Sequence, residues 1–85
     1  MPELSRFYGI RITMNFDDHP PPHFHAEYGN DEAMIRIDDG KVFRGYLPSR
    51  AVRLVREWAR LHRPELEENW DRSHSDQALM RIAPL

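Results

Sequence analysis

Apolar and polar residues alternate from Phe7 to Phe16, with Tyr8, Ile10, Ile12, Met14 and Phe16 on one side and Gly9, Arg11, Thr13 and Asn15 on the other. A period of two sets one row against a core and the other against water, so the segment reads as a half-buried strand. The pattern recurs from His23 to Tyr28, where Phe24, Ala26 and Tyr28 oppose His23, His25 and Glu27. It returns where Ala33, Ile35 and Ile37 alternate with Glu32, Met34 and Arg36. Gly29-Asn30 and Asp39-Gly40 are hairpin dipeptides, which makes this third strand antiparallel both to the second and to a fourth at about Lys41 to Leu47.

Matching the faces selects a register. A two-residue Gly29-Asn30 loop sets Phe24 opposite Ile35, Ala26 opposite Ala33, His25 opposite Met34 and His23 opposite Arg36, so apolar meets apolar. In the first hairpin, pairing Phe16 with Phe24 also pairs Met14 with Ala26 and Ile12 with Tyr28. The same register brings Asp17 across from His23 and Asn15 across from His25. The fourth strand has two solutions: a tight Asp39-Gly40 loop turns Val42, Arg44 and Tyr46 inward, and a longer loop or bulge turns Phe43 and Leu47 inward.

From Ser49, a residue suited to an N-cap, the period becomes helical. Ala51, Leu54, Val55, Trp58, Ala59 and His62 form one arc, and Arg53, Arg56, Arg60 and Arg63 the other. Pro64 interrupts this helix and starts a shorter one, PELEENWDRSHS, with Leu66 and Trp70 inward. The tail from Leu79 to Leu85 is apolar enough to dock. Together these elements predict one domain over residues 1–85, an α+β fold in which an antiparallel four-stranded meander is followed by two helices packed on one face of the sheet.

Composition then narrows the chemistry. A chain of 85 residues builds one small core, and 40% apolar with 31% charged residues is the balance of a soluble globular domain. The lack of cysteine excludes disulfides and thiolate metal sites, leaving His, Asp and Glu as ligands for any metal. No apolar run approaches membrane-spanning length and no signal pattern opens the chain, so no membrane association and a cytoplasmic location are expected. A net charge of −2 argues against a strongly basic nucleic-acid binder. Eleven of the twelve basic residues are nevertheless arginine, whose planar guanidinium suits bidentate contact with phosphate or carboxylate. The arginine stripe of the first helix reads as a solvated face, neutralised by Glu57 and by i,i+4 pairs such as Arg63 with Glu67 and Glu68 with Arg72. His62 reads as a hydrogen-bonded core histidine, Trp58 and Trp70 as core anchors, and His74 as a surface residue.

The candidate chemistry lies in DDHPPPHFHAEYG, residues 17–29. If the helices cover the Phe24 and Ile35 face, His23 and His25 project from the opposite, exposed face beside Arg11, Asn15, Asp17, Glu27 and Arg36. One reading is acid–base chemistry, with His23 and His25 exchanging protons and Asp17 orienting an imidazole. Arg11, Asn15 and Arg36 would then hold a small anionic or nucleotide-like ligand, or RNA. Another is a metal site in which His23 and His25 chelate a divalent ion. Three prolines in extended geometry advance about 3.1 Å each, which puts His19 roughly 12 Å from His23 and outside such a site unless a cis bond or sharp bend intervenes. Arg36 opposite His23 opposes a cation. The same residues also fit two non-catalytic readings: a proline-stiffened hairpin, or a face that docks a cognate protein or a second copy as a homodimer.

The stretches HPPPHFHAEYG, GYLPSRAVRLVREWARLH, ELEENW and RIAPL together resemble an uncharacterised family of short bacterial proteins, domain of unknown function 4160. The matching positions are Pro21, Pro22, His23, Phe24 and His25, then Trp58, Trp70 and Pro84. The resemblance spans nearly the whole chain and implies a component of a toxin–antitoxin-like gene pair. It carries no catalytic residue with it, so whether the domain is an enzyme stays open.

Overall fold

A computed structural model describes residues 2–85. Five strands precede two helices: β1 Glu3–Phe7, β2 Ile10–Thr13, β3 His23–Tyr28, β4 Asp31–Arg36, β5 Val42–Gly45, α1 Ser49–Leu61 and α2 Arg63–Ser73. The strands form one antiparallel sheet in the order β1-β2-β3-β4-β5. The fold is therefore α+β with a meander, as the pattern predicts, but the sheet has five strands rather than four. The additional strand arises because the first alternating segment is not continuous. Tyr8 and Gly9 both take left-handed backbone, at φ 49° and 78°, and reverse the chain in a two-residue hairpin. Phe7 then pairs with Ile10, and Tyr8, expected inward, is exposed at the tip.

The core gathers Leu4 and Phe7 from β1, Ile10 and Ile12 from β2, Phe24 and Ala26 from β3, and Ala33 and Ile35 from β4. Against these, α1 buries Ala51, Val55, Trp58 and Ala59, the arc that its period predicts. Its N-cap position is Pro48 rather than Ser49, and no side chain caps it. Trp58 lies 5.4 Å from Phe7 and 5.8 Å from Phe24 between ring centroids. Its indole N–H donates to the Ala83 carbonyl at 2.8 Å, so the tail docks on the same residue. The tail also lies along β1, where the Ile82 N–H donates to the Leu4 carbonyl at 2.8 Å. α2 adds Leu66 to the core and continues from α1 with Pro64 in its first turn. No helix among the described residues is long and apolar enough to cross a membrane.

The β3–β4 register is the one predicted, including Phe24 with Ile35 and His23 with Arg36. The β2–β3 register differs by two residues: Ile12 lies opposite Ala26 and Ile10 opposite Tyr28, so Met14 and Phe16 fall beyond the paired strands. A slip of two preserves parity, which is why the core face was assigned correctly while the partners were not. At β5 the open choice resolves as a bulge, with Val42 opposite Ile35 and Gly45 opposite Ala33. The extra residue switches parity along the strand, so both Val42 and Leu47 reach the core and Phe43 remains partly exposed.

Gly45 makes that bulge possible. It sits at φ 82°, and a Cβ there would overlap the Glu32 carbonyl oxygen. Gly29 is also left-handed, at φ 60°, but faces open space. Gly45→Ala is expected to cost roughly 2–5 kcal/mol by urea unfolding and Gly29→Ala roughly 1–2 kcal/mol, because only the first adds overlap to backbone strain. The β1 end carries a second constraint. Arg6, Arg81 and Arg11 all donate to the Glu3 carboxylate, holding its pKa down to about 2 from 4.5. The folded state thus binds this proton less readily than the unfolded chain. The contribution is complete above about pH 4.5 and disappears as pH falls toward 2. Thermal unfolding between pH 6 and 2 should lose part of its acid sensitivity in Glu3→Gln.

Candidate metal centre

Strand alternation sends Phe24 and Ala26 into the core and aims His23 and His25 at the other face. That face was expected to be exposed, yet only 3% of His23 and 7% of His25 is accessible. The covering comes from elements distant in sequence. Trp70 of α2 lies 5.4 Å from the His23 ring, and Phe43 of β5 approaches it edge-on at 5.3 Å. The β2–β3 loop folds alongside and is fastened at three points. The Asp17 N–H donates to the Ser73 carbonyl at 3.1 Å, the Ile37 N–H to the Pro22 carbonyl at 3.1 Å, and the His74 Nε2–H to the Asp18 carbonyl at 2.8 Å.

Each imidazole is oriented through Nδ1. His23 Nδ1 lies 2.7 Å from the Pro21 carbonyl, which can only accept, so this nitrogen carries a proton. His25 Nδ1 lies 3.2 Å from the Glu32 carboxylate, another acceptor. Both Nε2 atoms then face a single oxygen, Asp18 Oδ2, at 3.0 Å from His23 and 3.6 Å from His25. Asp18 Oδ1 accepts the His19 backbone N–H at 2.8 Å, and the Asn15 amide lies 3.4 Å from both Asp18 Oδ2 and His25 Nε2. One ligand atom from each of Asp18, His23 and His25 lies within 4.8 Å of the other two.

This geometry has an electrostatic consequence. A neutral imidazole protonated at Nδ1 presents a lone pair at Nε2, and a carboxylate oxygen presents lone pairs as well. Facing one another in a largely buried site, these lone pairs make a pocket that suits a donor or a cation, and the Asn15 amide is the neutral donor in reach. Burial pushes the Asp18 carboxyl upward, but the His19 N–H, the His23 charge, Asn15 and His25 together outweigh it and leave its pKa below the ordinary value. His74, at the C-terminal end of α2, is shifted upward because its two ring nitrogens face the carbonyls of Trp70 and Asp18.

The residues singled out in the sequence divide between this cluster and its surroundings. His23, His25 and Asn15 belong to it. Asp17 is exposed at φ 54°, and its neighbour Asp18 supplies the carboxylate, because the two-residue register shift takes Asp17 out of the ladder. Arg11 lies opposite Glu27 and bonds Glu3 and Glu27. Arg36 is opposite His23 in register, but its guanidinium is paired with Asp39. His19 is exposed and outside the cluster. Sequence patterning did not identify Asp18, Glu32, Trp70 or His74. The paired aspartates at 17 and 18 were the available signal for the first, but alternation alone does not rank two neighbouring acids at a strand end. Thr13, the register partner of His25, adds a buried hydroxyl with no hydrogen-bond partner among the described residues.

The model of the family described as "Domain of unknown function (DUF4160)" matches residues 9–71, a span that contains every residue of the cluster. No curated protein and no solved structure matches the chain.

Asp18 and Asp17 can be separated experimentally. Asp18→Ala removes the partner of a buried imidazole and should cost about 1–3 kcal/mol in urea unfolding. Asp17→Asn, which tolerates left-handed backbone and lies in solvent, should stay within about 0.5 kcal/mol of the parent. Equal effects would show that the Asp18 carboxylate has no special place in the cluster.

Proposed function

We propose that this chain, which belongs to the DUF4160 family, is a metal-binding domain in which Asp18 Oδ2, His23 Nε2 and His25 Nε2 hold one divalent transition-metal ion. The observation that carries this reading is the convergence of two imidazole nitrogens on one carboxylate oxygen, with both Nδ1 atoms already facing acceptors. Metal-bound histidines are commonly oriented in this way, by a backbone carbonyl or a carboxylate on the other ring nitrogen. At metal–ligand bonds of about 2.0–2.2 Å, tetrahedral geometry separates ligands by roughly 3.3–3.6 Å. The 3.0 and 3.6 Å separations lie near that spacing, and all three ligand atoms fall within 4.8 Å of one another.

The neighbouring charges favour a cation over an anion. The guanidinium groups of Arg11 and Arg36 are engaged by carboxylates, and Asp18 and Glu32 place negative charge at the imidazoles. Two imidazoles with one carboxylate suit Zn²⁺, Fe²⁺, Co²⁺ or Ni²⁺ better than the hard ions Mg²⁺ and Ca²⁺. Three protein ligands leave at least one coordination position for water or substrate, beside Asn15. A bound ion of this class supplies Lewis acidity and lowers the pKa of coordinated water.

Chelator-stripped protein titrated with each of these ions tests the proposal. At an ion concentration one hundred times Kd, binding to the folded state adds about 2.7 kcal/mol. For a domain of this size that raises Tm by roughly 10–20 °C. His25→Ala should still fold in the presence of chelator but lose this increment, and Co²⁺ should give the visible absorption of a low-coordinate nitrogen and oxygen site only in the parent. If no ion raises Tm or shifts the His23 and His25 ring signals, the cluster is an ion pair closed by a proton and the proposal fails.

A further inference from the structure

The net charge of −2 hides a strong segregation. The stretch from Lys41 to Arg63 holds seven cationic side chains and one acid, Glu57. All seven are exposed, and none of them forms an ion pair among the described residues. The five remaining arginines, Arg6, Arg11, Arg36, Arg72 and Arg81, are all paired. The expected neutralisation of the α1 stripe is met only outside it, at Glu68 and Arg72, and no Arg63–Glu67 bridge forms.

This cationic stretch coincides with the uncovered edge of the sheet. Of the two edge strands, β1 is overlaid by the tail through Ile82 and Arg81, whereas β5 ends the strand order with no such cover among the described residues. An open groove of about 420 Å³ runs between β5 and α1, lined by Lys41, Val42, Tyr46, Leu47, Val52 and Arg56. On the other side of Arg56 a second groove of about 260 Å³ continues along Arg53, Arg60 and Arg63. Exposed Phe43 and Tyr46 add apolar surface at the same edge.

An open edge offers unpaired backbone N–H and C=O groups, and an extended segment satisfies them by adding a strand. We propose that β5 and the arginine-flanked groove beside it receive an extended acidic segment of a partner protein as a sixth strand. Its backbone pairs with β5, the carboxylates on the side facing α1 meet Lys41, Arg56 and the arginines beyond, and the alternate apolar side chains, on the other side of the sheet, rest on exposed Phe43. A second copy of this chain is the poorer occupant, because pairing β5 with itself brings Lys41, Arg44 and Arg56 against their own kind. The apolar lining of the groove and the free strand edge distinguish a polypeptide from a nucleic-acid backbone, which asks only for the charge.

The probe is a synthetic peptide of about eight residues alternating valine and glutamate, long enough to span a typical strand. Two controls accompany it: one with lysine replacing glutamate, and an acidic one interrupted by proline, which cannot donate to the ladder. Titrated into isotope-labelled full-length protein, the acidic peptide should shift backbone amides of β5 and α1, and binding should weaken with added salt. The lysine peptide should not bind, and the proline peptide should bind at least about tenfold more weakly. Arg53→Glu combined with Arg56→Glu should reduce affinity about tenfold or more with an unchanged circular dichroism spectrum. Equal binding of the proline peptide would overturn strand addition. Tighter binding of a single-stranded RNA oligonucleotide to the same residues would replace the acidic segment with nucleic acid. No binding of any acidic peptide would mean that the charges merely shield the edge, and sedimentation showing a dimer would replace the acidic segment with a second copy.

Discussion

Trp58 sets the geometry on which the rest of this domain depends. Its ring joins Phe7 of β1 to Phe24 of β3, and its indole N–H holds the tail through Ala83. With Phe24 packed beneath α1, strand alternation leaves His23 and His25 no choice of face. The orientation of the polar cluster is therefore a consequence of apolar packing on the opposite side of the sheet. A strand whose face is fixed by an aromatic contact also gives its polar side chains little room to wander, which is the requirement for a ligand set.

Burying two imidazoles against a carboxylate runs against the preference of a small domain for an apolar interior. The fold accommodates them by satisfying Nδ1 of each ring and by fastening the β2–β3 loop to the end of α2. Trp70 and His74 then serve as a wall and a tie, 4.6 Å apart between ring centroids, at the place where the helix layer meets the loop. What the packing brings together is two ring nitrogens on one carboxylate oxygen, and that convergence gives the site its chemical character.

The second polarity of the molecule lies elsewhere. At the β1 edge three arginines converge on Glu3 and the tail lies over the strand, so charge and backbone are both satisfied there. At the β5 edge neither is satisfied among the described residues. The bulge and Gly45 set the path of β5, bringing Val42 and Leu47 to the core side. The histidine cluster and the cationic edge are thus distinct features, joined through Phe43 of β5, which touches His23.

Much of this was determined by the sequence alone. Alternation identified β3, β4 and their register, and helical periodicity identified the buried arc of α1, because both depend on local spacing against one apolar layer. The same alternation paired His23 with His25, whereas His19 was set aside on an extended run of prolines; it lies outside the cluster although the Pro20-Pro21 bond is cis. Tertiary structure decided the rest. The Tyr8-Gly9 reversal lacks the Asn-Gly or Asp-Gly signature and sits inside unbroken alternation, so β1 was invisible to period. A slip of two residues leaves every face unchanged, so pattern could not distinguish Asp17 from Asp18. Trp70, Phe43 and Glu32 approach the histidines from three different elements, and no local rule places them there. Local spacing is written along the chain, whereas convergence on a point requires the closed packing of sheet, loop and helix. That packing turned an apparently exposed pair of histidines into a buried pair converging on the partly buried Asp18.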